Sequence, residues 1–415
     1  MLLTNAKIYG RKGKWDIAVQ EDRIQAITES DDNTQASDSH TLDLEGKMVL
    51  PPYVEPHIHL DYVLTAGTPR WNKTGSVFEG IEIWSERKQL VQETKDDIKK
   101  RARQAVRMQM KHGVQYVRTH ADVSDPNLTG LKALLELREE VKPYMAIQVV
   151  ALPQEGLYTK PDGESLLIQA LEMGADVVGG IPHYELTRED GVHSIHKILD
   201  LAQEYDKLVD IHCDEIDDDQ SRYVEVLAGE ALKRNMGSRV TASHTAAMAT
   251  YSNAYTYKLF QTLKKTGMSF IALPKANLHL QGRFDSFPVE RGVTRVRDML
   301  EENINVSFGL DSIKDPWYPL GDGDMMSVVD TGLHACHMTD YDNIVTALNL
   351  VTVNGAKTLG IEKDYGVEEG HQANLIVIDT DSEYEAIRTQ APVLYSIRNG
   401  EIIVETKPAE THMPF

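Results

Sequence analysis

The sequence of 415 residues predicts an α/β protein, a (β/α)₈ TIM-like barrel with a small β-sandwich domain built from both termini. Through the middle of the chain, short apolar runs rich in β-branched residues alternate with longer amphipathic segments, whereas both ends consist of short segments of alternating polarity. Parallel strands that are buried on both faces are near-continuous apolar runs. Antiparallel strands with one solvated face alternate apolar and polar residues. We therefore expect sandwich strands in residues 1–47 and 362–415 and the barrel in residues 48–361.

The segments expected in the sandwich are short and are separated by Gly, Asp and Asn. They are residues 2–9, 15–19, 23–27 and 40–44 at the start and residues 373–378, 393–398 and 401–405 in the tail. The dipeptide Asn399-Gly400 is a strong hairpin signal. Because the barrel lies between the two halves of the sandwich, the chain ends should meet in space.

The expected barrel strands are residues 48–54, 114–119, 147–152, 176–181, 208–211, 239–242, 268–273 and 305–309. Apolar residues at three- and four-residue spacing predict crossover helices in residues 95–111, 128–141, 165–173, 194–205, 256–265 and 293–302. A doubly wound sheet would also alternate strands and helices, but it usually carries a Gly-rich phosphate turn after its first strand, and none is present.

Composition excludes several classes of protein. Hydrophobic residues at 41% and charged residues at 26% are typical of a folded globular chain. The 64 acidic and 43 basic residues give a net charge of −21, the wrong sign for binding nucleic-acid polymers or anionic membranes. With two cysteines, no secretory signal and no run near the roughly 18 apolar residues of a membrane span, we expect a cytoplasmic protein.

Polar side chains follow strand after strand, at the barrel face where active sites lie. They are Glu55, His57, His59, Asp61, His120, Gln154, Glu155, His183, His212, Cys213, Asp214, Glu215, Ser243, His244, Asn277, His279, Asp311 and Ser312. His57 and His59 are two residues apart on one strand and therefore face the same side. With His212 and Asp311 they predict an N/O site for Zn²⁺, Fe²⁺ or Mn²⁺, and such an ion lowers the pKa of a bound water.

Several motifs surround these residues. They are PPYVEPHIHLD at 51–61, FEGIE at 78–82, PQEG at 153–156, HCDE at 212–215, ASHT at 242–245, HLQGRFD at 279–285, DPWYP at 315–319, GVEEG at 366–370 and ANLIV at 373–377. Through them nearly the whole chain resembles the amidohydrolase superfamily, and more closely its cytosine deaminase branch.

The resemblance implies that His57, His59, His212 and Asp311 are the ligands of one divalent ion, Fe²⁺ or Zn²⁺, with Mn²⁺ as a further option. Binuclear members of the superfamily carry a bridging lysine on the fourth strand. That strand here ends at His183 without a lysine, so one ion is expected.

The resemblance also implies roles in hydrolytic deamination of a free nucleobase. Glu215 would move protons between water, ring nitrogen and leaving amine, His244 would orient the water, and Asp311 would accept the proton of the water. Gln154 would read the pyrimidine carbonyl and ring N–H.

Two further residues complete the expected substrate contacts. Trp317 would pack on the flat ring and Val77 would line the same pocket. We expect supporting or structural roles for His120 and His183, because four ligands already complete the metal site. The family further suggests a homo-oligomer.

The sequence departs from the cytosine deaminase pattern at two positions. Ser312 replaces an aspartate that lies near carbon 5 of the bound pyrimidine, and Leu310 stands where a histidine is common. The smaller, uncharged serine predicts tolerance for a 5-methyl or other 5-substituted cytosine, or for a larger ring such as isoguanine. Plain cytosine as the best substrate remains an alternative.

Two other functions are consistent with these residues. The same metal site could hydrolyse cyclic amides, as in hydantoinase or dihydroorotase-like members, or deaminate creatinine-like rings. A non-catalytic binding protein is the remote alternative. The His-x-Glu and Pro-Cys-x-x-Cys signature of the other nucleobase deaminases is absent from the sequence.

Overall fold

The computed structural model describes residues 1–30, 41–91 and 93–414. The chain begins with short strands, namely β1 (Leu2–Ile8), β2 (Trp15–Gln20), β3 (Arg23–Glu29), β4 (Thr41–Asp43) and β5 (Met48–Leu50). Strand β1 buries Leu3, Ala6 and Ile8 in a small apolar core, with an irregularity in its pairing to β2 between Leu3 and Ala6. Of the segment predicted at 40–44, His40 lies outside the described residues.

In the described part of the chain, eight parallel strands form the barrel, and their order follows the sequence. They are β6 (Tyr53–Ile58), β7 (Val114–Asp122), β8 (Ala146–Leu152), β9 (Val177–Gly180), β10 (Leu208–Cys213), β11 (Val240–His244), β12 (Ser269–Ala272) and β13 (Asn305–Phe308). A parallel bridge between Ile58 and Asp311 brings the last strand back to the first. The predicted (β/α)₈ barrel is confirmed.

Helices follow the barrel strands and cover the outside of the barrel. Those in the described residues are α1 (Val77–Leu90), α2 (Lys95–Lys111), α3 (Thr129–Val141), α4 (Gly163–Glu172), α5 (Arg188–Glu204), α6 (Tyr223–Lys233), α7 (Asn253–Thr266), α8 (Pro274–Leu280), α9 (Val296–Glu301), α10 (Met325–Ala335), α11 (Tyr341–Thr346), α12 (Val353–Leu359) and α13 (Glu383–Arg388). In α2, a capping box of Thr94 and Asp97 starts the helix and an apolar stripe packs on the barrel. Among the described helices, none is long and apolar enough to cross a membrane.

The tail returns to the first sheet through β14 (Leu375–Ile378), β15 (Val393–Arg398) and β16 (Glu401–Glu405). The strand order is β16-β15-β14-β5-β1-β2-β3, with β4 paired to β1. Asn399 and Gly400 both have positive φ, as the predicted hairpin turn requires. Both chain ends therefore lie in one sheet, although β5, β14 and β15 separate β1 from β16.

The prediction of a single strand over residues 48–54 is wrong, because the structure divides this run into two strands. Met48–Leu50 pairs with β1 and β14 in the terminal sheet, whereas Tyr53–Ile58 pairs with β7 in the barrel. Pro51 and Pro52 separate the two, since proline has no N–H for a strand ladder. The barrel thus begins five residues later than its predicted start.

Candidate active site

Four metal-capable side chains converge at the carboxyl ends of the barrel strands. His57 and His59 come from the end of β6, His212 from β10 and Asp311 from the segment after β13. Nε2 of His59 lies 3.1 Å from Nε2 of His212 and 3.4 Å from Oδ1 of Asp311, and Nε2 of His57 lies 3.5 Å from the same oxygen. All four side chains are buried.

The chemistry of these donors fits one divalent cation. Ligand atoms about 2.0–2.1 Å from a tetrahedral ion lie roughly 3.3 Å apart, close to the observed separations. Among the described residues, Nε2 of His57 has no hydrogen-bond partner, although it is fully buried. Burial, followed by the neighbouring imidazoles, holds the pKa of His57, His59 and His212 well below the usual value, so the rings are neutral, as metal ligands must be.

The backbone of β6 fixes the position of Asp311. The amide of Asp311 donates to the carbonyl of His57 at 2.9 Å, and its carbonyl accepts from the amide of His59 at 3.2 Å. Asp311 also adopts a positive φ of 68°, which is uncommon for a residue other than glycine and is often found at functional sites. Burial raises the pKa of Asp311 well above its usual value, with Asp315 as the second cause.

Glu215 and His244 lie beside this group. Oε1 of Glu215 is 3.2 Å from Nδ1 of His244, and the two side chains can share an ion or a proton with Asp311. Burial is the main cause that raises the pKa of Glu215 well above its usual value, and Asp311 adds to it. Although Glu215 belongs to an acidic segment, it is not a solvated loop residue, because its side chain is 95% buried.

Asn277 is a functional candidate to which the sequence analysis gave no role. It lies on α8 and its amide nitrogen donates to Nδ1 of His244 at 3.2 Å. This donor favours a ring proton on Nε2, which has no hydrogen-bond partner in the described part of the chain, and the carboxyl of Glu215, also 3.2 Å from Nδ1, must then carry its own proton. His244 thus presents an N–H donor toward the site.

The predicted substrate contacts are all buried near the same end of the barrel. Gln154 follows β8, Ser312 follows Asp311, and neither the Gln154 Oε1 nor the Ser312 Oγ has a hydrogen-bond partner among the residues described. Val77, at the start of α1, and Glu215 line one cavity of about 170 Å³. Trp317 is 5% exposed and lies against α1.

Tyr62 was also missed by the sequence analysis. Its ring stacks on the imidazole of His59, with centroids 4.5 Å apart, and lies at the same distance from Trp317. Trp84 meets the ring of Tyr62 edge-on, with centroids 5.1 Å apart. The signal was an aromatic residue immediately after the His-x-His-x-Asp motif, which by itself does not distinguish a site wall from ordinary core.

His120 and His183 also lie near the site, and the geometry of His120 would allow it to share an ion with His57 and His212. The ring of His120 lies 4.0 Å from the ring of His57, and neither of its nitrogens has a hydrogen-bond partner within the described ranges. His183 lies in a short 3₁₀ turn after β9, where burial lowers its pKa to about 4. A supporting role for both remains a prediction.

Comparisons with a family profile and with curated proteins both point to amidohydrolases. The sequence profile described as "Amidohydrolase family" matches residues 40–404. N-isopropylammelide isopropyl amidohydrolase from Pseudomonas sp. (strain ADP) is 31% identical and is aligned over 98% of this chain and 97% of its own length.

Among solved structures, 5-methylcytosine deaminase from Klebsiella pneumoniae, liganded with 5-fluorocytosine, is 49% identical. The similarity covers 100% of both chains with a TM-score of 0.97. N-isopropylammelide isopropylaminohydrolase from Burkholderia multivorans ATCC 17616 shares the fold, with 24% identity, a TM-score of 0.82 and coverage of 97% of this chain and 98% of that one.

Proposed function

The chain belongs to the amidohydrolase family, and from this premise we propose that it deaminates a free aminopyrimidine, cytosine or a 5-substituted cytosine such as 5-methylcytosine. The products are the corresponding uracil and ammonia. The observation that carries the proposal is the 49% identity, over the whole chain, to a 5-methylcytosine deaminase crystallised with 5-fluorocytosine. A hydrolase of carbon–nitrogen bonds is also what the deaminase and amidohydrolase relatives indicate.

His57, His59, His212 and Asp311 would hold the metal, for which Fe²⁺ and Zn²⁺ are the first candidates and Mn²⁺ the third. When bound, a divalent ion acidifies water and so supplies a hydroxide nucleophile near neutral pH. The donor set of three imidazoles and one carboxylate supports one ion, and the chain has no lysine at the end of β9 to bridge a second.

Glu215, His244 and Asp311 would manage the protons of the reaction. Glu215 delivers a proton to the ring nitrogen next to the amino-bearing carbon, and the attacking water adds to that carbon. Asp311 accepts the first proton of the water. Glu215, deprotonated by its delivery to the ring nitrogen, takes the second proton from the hydroxyl of the adduct and gives it to the amine, so that the carbon–nitrogen bond breaks with release of ammonia and Asp311 then returns its proton to Glu215. His244 donates from Nε2 to the oxygen and stabilises its developing charge.

Gln154, Trp317 and Val77 would bind the base. The primary amide of Gln154 offers a donor and an acceptor side by side and can pair with the carbonyl and ring N–H of a pyrimidine. Trp317 and Val77 would supply flat and apolar contacts to the ring. Ser312 would leave space at carbon 5, where a carboxylate would exclude a methyl group.

An ammonia-release assay tests the proposal. The metal-replete protein is offered cytosine, 5-methylcytosine, isoguanine, creatinine, N-isopropylammelide and dihydroorotate, with Glu215→Gln as the control. Ammonia from cytosine or 5-methylcytosine, lost in the variant, is the expected result. Ring opening of dihydroorotate without ammonia, or release of isopropylamine alone, would contradict the proposed function.

The remaining proposals concern the molecule in the cell. We propose a homo-oligomer located in the cytoplasm that acts on the free base and binds neither nucleic-acid polymers nor membranes. The charge of −21 supports the last point, because it repels phosphate backbones and anionic lipid. Light scattering after gel filtration checks the oligomer, and cell fractionation checks the location.

A further inference from the structure

Arg118, on β7, is fully buried inside the barrel. One Nη atom lies 2.9 Å from Oδ2 of Asp210 on β10, and the other donates to the carbonyl of Thr358 at 3.0 Å. Its Nε donates to Gln148 at 3.1 Å. Burying an ion pair costs desolvation free energy, so the pair of Arg118 and Asp210 is weak evidence for added stability. We therefore looked for a role of this pair in the neighbouring site.

The second oxygen of Asp210 connects this ion pair to the metal site. The hydroxyl of Ser243, on β11, donates to Oδ1 of Asp210 at 2.5 Å, and Oγ of Ser243 lies 3.0 Å from Nδ1 of His57. An ionised carboxylate accepts hydrogen bonds and cannot donate one. The hydroxyl proton therefore points to Asp210, and the Ser243 oxygen accepts from Nδ1–H of His57.

This direction of hydrogen bonding determines the tautomer of His57. With the ring proton on Nδ1, Nε2 keeps its lone pair and faces Asp311 across 3.5 Å. We infer that Arg118, Asp210 and Ser243 form a positioning relay that holds His57 in its metal-binding tautomer. The inference deepens the proposed function and rests on it, because the metal site belongs to that function.

The relay is specific to one ligand. The Nδ1 atoms of His59 and His212 have no hydrogen-bond partner among residues 1–30, 41–91 and 93–414. His120 does not take the place of Ser243, because its Nε2 lies 3.8 Å from Oδ1 of Asp210, beyond hydrogen-bond distance. Of the three histidines, His57 is thus the one whose Nδ1 forms a side-chain hydrogen bond within the described residues.

Zinc affinity measured by chelator competition tests the relay without any substrate. Ser243→Ala should weaken Zn²⁺ binding by about 10- to 100-fold, the usual effect of removing a hydrogen-bond partner of a metal ligand. Ser243→Thr, which keeps the hydroxyl, should restore most of the affinity. The matched control is Ser307→Ala, a fully buried barrel serine whose hydroxyl contacts Phe270 and Thr358 and not His57.

Wild-type zinc affinity in folded Ser243→Ala would overturn the relay. A second measurement covers a variant that does not fold: in the zinc-loaded wild type, a long-range ¹H–¹⁵N spectrum should show His57 protonated at Nδ1. Protonation at Nε2 would overturn the inference. If zinc affinities follow the expected order but no cytosine is deaminated, the proposed function fails and the relay stands.

Discussion

The amide nitrogen of Asn277 lies 3.2 Å from Nδ1 of His244 and favours the tautomer with the ring proton on Nε2. Asn277→Asp would replace the donor by an acceptor, move the ring proton to Nδ1 and leave Nε2 without the proton that it donates to the oxygen. We expect kcat to fall about 100-fold or more, with a smaller change in KM, because the lost contact acts in the transition state. Steady-state kinetics with cytosine and 5-methylcytosine measure the effect.

Asn277→Ala is the matched control, because it removes the hydrogen bond without imposing the opposite tautomer. Its loss of kcat should be smaller than that of Asn277→Asp. Equal losses in the two variants would show that the direction of the hydrogen bond is unimportant.

Ser312 is expected to determine the tolerance for a substituent at carbon 5. Its side chain is 1% exposed, and its hydroxyl has no hydrogen-bond partner in the described residues. Ser312→Asp fills this space and adds a carboxylate beside Asp311 and Asp315, so the ratio of kcat/KM for 5-methylcytosine to that for cytosine should fall about tenfold or more, within the 1–3 kcal/mol that a methyl group contributes. Ser312→Ala should keep the ratio, and an unchanged ratio in Ser312→Asp would refute the role.

Helix α1 forms one wall of the site because it approaches Trp317 closely. A Cβ on Gly80 would lie 2.6 Å from the indole ring of Trp317, so a larger residue must displace the ring. We expect Gly80→Ala to raise KM for the base about tenfold or more, although alanine favours the helix by about 1 kcal/mol. Steady-state kinetics and thermal unfolding of the same variant separate the two effects.

Gly229→Ala is the control for a glycine in a helix. Gly229 lies in α6, and a Cβ there would meet no atom within 4 Å among the described residues. This variant should gain about 0.5–1 kcal/mol in the free energy of unfolding and keep the wild-type KM. A wild-type KM in Gly80→Ala as well would show that Trp317 does not contact the substrate.

The strands were predictable from sequence where their apolar runs end at polar residues. The exception is the run over residues 48–54, and it has a physical cause. Leu50 and Tyr53 are both buried, so hydrophobicity continues across the boundary between two sheets. Pro51 and Pro52 were the available signal, because two consecutive prolines cannot belong to a central strand. His57, His59, His212 and Asp311 were predictable as a group because each lies at or just after the end of a barrel strand.

The side chains that hydrogen-bond to these histidines were not predictable in the same way. Asn277 contacts His244 from a helix 33 positions along the chain, and Ser243 contacts His57 across 186 positions. No local pattern marks such pairs, since their contact depends on the closure of the barrel. Sequence reasoning therefore predicted which side chains converge at this end of the barrel, whereas the contacts that orient them required the structure.

The terminal sheet and the barrel are joined by specific polar contacts. Gln115, at the start of β7, donates to Oγ of Ser396 at 3.0 Å and to the carbonyl of Ile397 at 2.9 Å, both on β15. Tyr365 donates to the carbonyl of Pro52 at 2.6 Å, where the chain passes from one sheet to the other. These hydrogen bonds attach β7 and the segment before β6 to the C-terminal part of the chain.

Metal binding should stabilise the whole molecule, because its ligands come from widely separated strands. His57 and His59 lie at the end of β6, His212 on β10 and Asp311 next to the bridge that closes the barrel. A ligand at 100 times its dissociation constant stabilises the native state by about 2.7 kcal/mol. Thermal unfolding should therefore show a Tm that rises with added Zn²⁺ and falls after chelation, whereas His59→Ala should show little response. Equal Tm values for metal-free and zinc-saturated wild type would mean that these four side chains do not hold an ion together.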